Sequence, residues 1–119
     1  MSQSAEELRD RTKAFATRVV KMFRALPRST DTYVLGKQVL RSGTSVAANY
    51  RAACRARSRA EFVARLGVVA EEADEAVFWL EMLVDCGIVK REKLMSLLTE
   101  ARELTAIFSA SQHTAKYRK

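Results

Sequence analysis

Residues 58–87 read SRAEFVARLGVVAEEADEAVFWLEMLVDCG, and they carry the helical pattern that decides the fold. Ser58 is followed three residues later by Glu61, the spacing of a capping box at a helix start, and Gly87 lies where a glycine commonly ends a helix. Between them, apolar residues recur in alternating steps of four and three, which predicts a long helix packed against other helices. This core stripe comprises Phe62, Leu66, Val69, Ala73, Ala76, Leu80 and Leu83, and Val63, Ala70, Val77 and Val84 widen it.

Three more segments show the same spacing. The first begins with Ser4 and Glu7, a second capping box, and Pro27 ends it because proline cannot continue a helix. Thr30 or Asp31 is available as the N-cap of the next helix. The predicted helices are 4–26, 32–55, 58–86 and 90–112, followed by a basic tail, 113–119, that lacks periodicity and is expected to fray.

The second helix contains a Gly-Thr-Ser sequence that resembles the start of a phosphate-binding loop. Such a loop needs the spacing G-x-x-x-x-G-K-[ST], and no lysine follows Gly43. Gly43 instead belongs to a helical stripe, which predicts that its missing side chain lets a neighbouring helix approach closely. The stripe comprises Gly36, Val39, Gly43, Val46, Tyr50 and Ala53.

Composition and turn length predict the architecture. The chain has 119 residues with one proline and four glycines, which suits one mostly helical domain, 1–119, with a single modest core. Amphipathic helices joined by short turns predict an all-α, up-and-down antiparallel four-helix bundle. A three-helix arrangement with an exchanged fourth helix is the structural alternative.

Charge and targeting signals narrow the cellular context. The formal charge of +7 favours an anionic partner. No apolar run approaches the roughly 20 residues of a membrane span, and the N-terminus lacks the apolar stretch of a signal peptide. We therefore expect a cytoplasmic protein with no membrane partner, in which Cys54 and Cys86 are reduced, small core residues.

Residues for catalysis or metal binding do not cluster in the sequence. The only histidine, His113, lies in the tail, so neither a di-iron motif nor a zinc site is formed. Ser42, Thr44 and Ser45 lack a histidine partner. Glu71, Glu72, Asp74 and Glu75 could bind a hard cation, but a solvated or ion-paired face suits them better. We expect no enzyme activity, no cofactor and no metal.

Basic and acidic residues are segregated along the chain. Residues 50–66 carry five arginines and one glutamate, whereas residues 67–89 carry six acidic residues and neither lysine nor arginine. The basic residues of helix 2 lie outside its core stripe and point outward; helix 1 carries a second basic row. A solvated exterior is the ordinary interpretation, and a nucleic-acid surface is the functional one. The candidate nucleic-acid-binding residues are Lys37, Arg41, Arg51, Arg55, Arg57, Arg59 and Arg65, and the tyrosines available for base stacking are Tyr33, Tyr50 and Tyr117.

The acidic segment of the third helix carries large apolar residues on its outer face, which are costly to leave in water. We therefore predict an interface between protomers, in which a neighbour's basic surface pairs with the acids. Alternatively, Phe78 and Trp79 pack under helix 4 or the tail. The candidate interface residues are Glu71, Glu75, Phe78, Trp79 and Met82.

The stretch LRSGTSVAANYRAACRARSRAEFVARLGVVAEEADEAVFWLEMLVDCGIV, residues 40–89, resembles the signature of the four-helix bundle proteins called 23S rRNA intervening-sequence proteins. The likeness covers about residues 8–112 and rests on Ser45, Asn49, Ser58 with Glu61 and Phe62, and the runs 72–75 and 79–81. Tyr50-Arg51-Ala52 departs from the family's usual glutamate after the asparagine. The resemblance implies a small bacterial cytoplasmic protein that forms a ring-like homopentamer. It extends to the accessory protein of diversity-generating retroelements, a pentamer that binds nucleic acid and a reverse transcriptase.

Two functions are consistent with these features. The first is a non-catalytic, self-assembling module that binds RNA or DNA non-specifically through phosphates, because phosphate contacts carry no sequence information. The second is an adaptor whose basic face binds an acidic protein, such as a reverse transcriptase. Salt-dependent binding to random nucleic acid distinguishes them.

Overall fold

Four antiparallel helices form the protein in a computed structural model that describes residues 3–118. Each helix packs on the next in chain order, and α4 lies on α3 of the same chain. The all-α four-helix bundle is therefore confirmed. The helices are α1 Ala5–Arg24, α2 Thr30–Cys54, α3 Arg59–Asp85 and α4 Arg91–Tyr117.

The helix starts follow the predicted caps in two of three cases. The Ser4 hydroxyl accepts a hydrogen bond from the Glu7 N–H at 3.1 Å, and the Ser58 hydroxyl accepts one from the Glu61 N–H at 3.1 Å. The N-cap of α2 is Ser29, not Thr30 or Asp31. That prediction was wrong because the Ser29 hydroxyl donates to the Asp31 carboxylate at 2.7 Å, so the acidic residue supports the helix start from within its first turn.

Gly87 ends α3 as predicted. Its φ of 72° lies in the left-handed region, where glycine has no steric penalty. The Ile88 N–H donates to the Leu83 carbonyl at 3.0 Å and the Gly87 N–H to the Val84 carbonyl at 3.0 Å. This is the hydrogen-bond pair of a Schellman motif, which satisfies the last carbonyls of the helix.

The predicted stripe of α2 is buried along its whole length, including both of its glycines. A β-carbon at Gly43 would lie 2.8 Å from Val19 Cγ2, and one at Gly36 would lie 2.8 Å from Leu26 Cδ1. Carbon atoms do not approach so closely, so at Gly43 the short, branched Val19 side chain of α1 packs at a distance that favours glycine, whereas the contact at Gly36 is with the flexible end of Leu26. The stripe is thus a packing surface, and the sequence around Gly43 is helical.

The tail is ordered where the sequence predicted fraying. Helix α4 continues to Tyr117. Its last turn is held by Arg59, whose Nε and Nη2 donate to the Ala115 carbonyl at 2.9 and 2.7 Å. This contact between residues far apart in the chain has no signature in local periodicity. Lys119 lies outside the described residues.

The two cysteines are free thiols but do not both belong to the core. Cys54 is half-buried beside the core, whereas Cys86 is exposed in the turn after α3. The prediction of a core position was wrong for Cys86, because the helix ends before its side chain can turn inward.

The bundle is elongated, about 49 Å in its longest dimension, and its two ends differ. One end, the arginine end, carries the α2–α3 turn with the start of α1 and the end of α4. The opposite end carries the α1–α2 and α3–α4 turns. Along the sides, α1 and α4 share the fewest contacts, and Arg11 joins them by a 2.6 Å ion pair with Glu100.

Candidate nucleic-acid interface

A shallow cleft at the arginine end brings together three of the predicted basic residues. Arg51 lies on the outward face of α2, Arg55 follows one turn later as the C-cap of that helix, and Arg57 lies in the turn to α3. The cleft has a volume of about 400 Å³. We call it the arginine cleft; it is lined by Ala48, Arg51, Ala52, Arg55, Arg57 and Glu61.

The three guanidinium groups of the arginine cleft are exposed and form no ion pair among residues 3–118. Glu61 is the acidic residue of the lining, but its carboxylate accepts a hydrogen bond from the backbone N–H of Arg57 at 3.1 Å. It thereby supports the start of α3 together with the Ser58 hydroxyl. Arg55 forms no ion pair with Glu61, so three arginines face a single carboxylate and the cleft is cationic.

Two further predicted cations border this region. Arg59 is exposed, but its guanidinium is fixed on the Ala115 carbonyl at the end of α4, where a cation also interacts favourably with the helix dipole. Arg65 is exposed on α3, one turn after Glu61 and on the same helix face. The cleft therefore lies within a surface to which both helices contribute positive charge.

Arg41 does not belong to the free basic surface, contrary to the prediction. Its guanidinium pairs with Glu72 at 3.1 Å and with Glu75 at 2.5 Å, both on α3. The hydrogen bond to Glu75 raises the pKa of Arg41 further, and the same bond lowers the pKa of the Glu75 carboxyl below its ordinary value. The charge of Arg41 is thus neutralised within the chain.

The remaining predicted groups are divided between the two ends of the bundle. Lys37 lies toward the opposite end, with its ammonium 5.3 Å from the centroid of the Tyr33 ring. Of the tyrosines considered for base stacking, Tyr33 and Tyr117 are exposed, at 57% and 66%. Tyr50 is buried against Phe108, with ring centroids 5.0 Å apart, so it is excluded as a stacking platform.

The acidic face of α3 is only partly free for a partner. The Glu75 carboxylate, expected to meet a neighbour's cation, already pairs with Arg41 and accepts from the Trp79 indole N–H at 3.2 Å. Phe78 remains 50% exposed and lies edge-on to Trp79, with centroids 4.8 Å apart. Packing of Phe78 under α4 is therefore wrong, whereas Trp79 is half-buried. Glu71 is exposed and Met82 is half-buried.

Residues 3–118 contain neither a cluster of metal ligands nor a helix able to span a membrane. This part of the chain contains no group of three or more His, Cys, Asp or Glu residues placed to hold a metal ion. No helix in this part of the chain has an apolar stretch long enough to cross a membrane. The arginine cleft is therefore the best-defined candidate site. The fold brings three arginines together there, and none of them forms an ion pair within residues 3–118.

The arginines at 51, 55 and 57 were predicted from their outward positions, whereas the contact of Arg59 with Ala115 was not. The signal for that contact is absent from local spacing, because the two residues lie on different helices that meet only in the folded bundle.

Comparisons with known proteins agree with this fold. Residues 6–110 match the family described as 23S rRNA-intervening sequence protein. A crystal structure of a protein with unknown function from the S23 ribosomal protein family of Bacteroides thetaiotaomicron is 34% identical, with a TM-score of 0.85. The match covers 92% of this chain and 98% of that one. A search of curated proteins found no match.

Proposed function

The chain belongs to the family of 23S rRNA-intervening sequence proteins, and we propose that it is a non-catalytic, self-assembling bundle that binds RNA or DNA. Binding is non-specific and acts through phosphates at the arginine cleft. The observation that carries the proposal is the grouping of Arg51, Arg55 and Arg57 around one cleft without an ion pair among residues 3–118. Phosphate oxygens suit exposed guanidinium groups because arginine can donate two parallel hydrogen bonds to them.

Self-assembly multiplies this charge. A single cleft contacts only a few phosphates, but several clefts on one particle bind one nucleic acid with a much higher effective concentration. The half-exposed Phe78 ring on α3 is the apolar group that supports a contact between protomers. The family resemblance favours a homopentamer. Light scattering at high micromolar concentration should give the mass of an oligomer, and a monomer would exclude this part of the proposal.

The salt dependence of binding tests the cleft. The affinity for random duplex DNA and random RNA is measured by fluorescence anisotropy over a range of salt concentrations. On duplex DNA, the log–log slope is about −0.9 for each phosphate neutralised. The triple variant Arg51→Gln, Arg55→Gln, Arg57→Gln should flatten that slope by up to about 2.7 per protomer and weaken binding to every sequence alike.

A charge-matched variant provides the control. Lys13→Gln, Lys21→Gln and Lys93→Gln remove three exposed lysines that lie outside the arginine cleft. This variant has the same net charge as the cleft variant and should retain nearly the whole slope. Equal flattening by both variants, or an unchanged slope in a folded cleft variant, would mean that the arginines form an ordinary solvated face. An acidic protein partner would then be the better explanation for them.

A further inference from the structure

A second cavity with cationic lining residues lies at the opposite end of the bundle, beside the α1–α2 turn. It has a volume of about 340 Å³, and none of its described lining residues is acidic. Asp31 is close by in sequence but does not line the cavity, and its carboxylate accepts a hydrogen bond from the Ser29 hydroxyl at 2.7 Å. The residues that matter here are Phe23, Arg24, Leu26, Pro27, Arg28 and Tyr33.

Tyr33 is the exposed wall of this cavity. Its side chain is 57% exposed, and its ring lies 6.4 Å from the ring of Phe23, tilted by 50°. The Lys37 ammonium stands 5.3 Å from the ring centroid, a cation–π distance. An exposed aromatic ring flanked by cations is the arrangement on which proteins stack the bases of single-stranded nucleic acids.

We propose that Tyr33 stacks with one unpaired nucleobase, while Arg24 and Arg28 bind the phosphates on either side of it. This inference rests on the proposed function and adds to it the class of nucleic acid. The bases of a duplex are stacked on each other and cannot reach the ring, so the protein prefers single strands. Stacking is tolerant of base identity, which agrees with binding that is not sequence-specific.

The position of Tyr33 sets the path of the strand. Tyr33 and Arg51 are near the two ends of α2, about 27 Å apart along the helix axis at 1.5 Å per residue. A strand that reaches both sites must therefore run along α2. The base contacts Tyr33 at one end, and the phosphates contact the arginine cleft at the other.

The test compares two single strands of equal charge and a duplex by fluorescence anisotropy with the full chain. They are a single-stranded RNA of about 12 nucleotides, which is within the range of known single-strand sites, the same strand with abasic residues, and a duplex. The wild-type protein should bind the base-bearing strand about fivefold or more tighter than the abasic strand. Tyr33→Leu should remove this preference and leave abasic and duplex binding unchanged, whereas Tyr33→Trp should retain it.

Tyr117 provides the matched control. It is an exposed tyrosine with a lysine ammonium 5.5 Å from its ring centroid, but it lies at the arginine end. Tyr117→Leu should keep the preference. The inference is overturned if wild type binds base-bearing and abasic strands equally, if Tyr33→Leu keeps the preference, or if Tyr33→Leu weakens all three probes alike. Absence of binding to every probe overturns the proposed function, and this inference with it.

Discussion

Arg41 and Arg55 lie two heptads apart in sequence, Arg41 on the outward face of α2 and Arg55 at its C-cap, yet Arg41 is ion-paired and Arg55 forms no ion pair among residues 3–118. Arg41 pairs with Glu75 of α3. Because α2 and α3 run antiparallel, the equivalent acid for Arg55 is two heptads earlier on α3, at Glu61. The Glu61 carboxylate instead accepts a hydrogen bond from a backbone N–H in the turn.

The difference shows that backbone N–H groups at the start of a helix compete with an arginine side chain for the same carboxylate. The first N–H groups of a helix have no partner within it, and a nearby acid satisfies them. In the middle of α3 that demand is absent, so Glu72 and Glu75 are available to Arg41. The arginine cleft is cationic because three arginines outnumber its one carboxylate, which is hydrogen-bonded to the turn and forms no ion pair with them.

The largest expected effect comes from placing an acid in the arginine cleft. Ala48 is exposed, lines the cleft and lies one turn before Arg51. The variant Ala48→Glu should pair with Arg51 and repel phosphate, which should lower the affinity for nucleic acid roughly tenfold at low salt. Anisotropy measures the change, and Ala48→Gln, which has the same shape without the charge, should bind like wild type. Equal affinities for the two variants would contradict a role for the cleft.

The next largest effect comes from releasing Arg41. The double variant Glu72→Gln, Glu75→Gln removes both of its partners and makes the middle of α2 resemble the cleft. Affinity should rise roughly fivefold, and the salt slope on duplex DNA should steepen by about 0.9 if Arg41 then contacts one phosphate. Adding Arg41→Gln to the double variant should cancel most of the gain. Persistence of the gain would assign it to the loss of negative charge alone.

Arg41 should contribute more than Arg51 to the stability of the fold, although it contributes less to binding. Arg41→Gln breaks two ion pairs that are partly exposed, so it should lower the free energy of unfolding by about 1 kcal/mol or less. Arg51→Gln removes an exposed group that forms no ion pair among residues 3–118, and its effect should stay within about 0.5 kcal/mol. Urea unfolding measures both. A larger loss for Arg51→Gln would show that the cleft contributes to the fold.

The smallest effect concerns pH. The hydrogen bond from Arg41 is the main cause that lowers the pKa of Glu75 below its ordinary value of 4.5 in the folded protein. A carboxyl with a lowered folded-state pKa stabilises the fold fully above 4.5, and this contribution is lost as the pH falls through the folded-state pKa. The stability gap between wild type and Arg41→Gln should therefore be fully present above pH 4.5 and shrink as the pH falls through the folded-state pKa of Glu75. A gap that persisted in acid would attribute the loss to packing.

Much of the fold was predictable because it depends on local spacing. The stripe of α2 from Gly36 to Ala53 and the glycine after α3 were both read from the sequence and found in the structure. The candidate site was predicted less well. The outward position of Arg41 follows from its own helix, but its neutralisation depends on acids 31 and 34 residues away. The ordered end of α4 likewise depends on Arg59, a residue of another helix.

The glycines of α2 also fix how far α1 can slide along its partner. Gly43 receives Val19 of α1, and Gly36, seven residues earlier, receives Leu26 from the turn directly after α1, seven residues later. The two glycines and the two side chains that they receive therefore have the same spacing, and together they define a single register of the antiparallel pair. A shift of α1 by one helical turn would move Val19 and Leu26 away from the two glycines. A shift by seven residues would leave one of the glycines without a side chain packed on it. The two contacts together therefore select one alignment from several that the apolar pattern alone would permit.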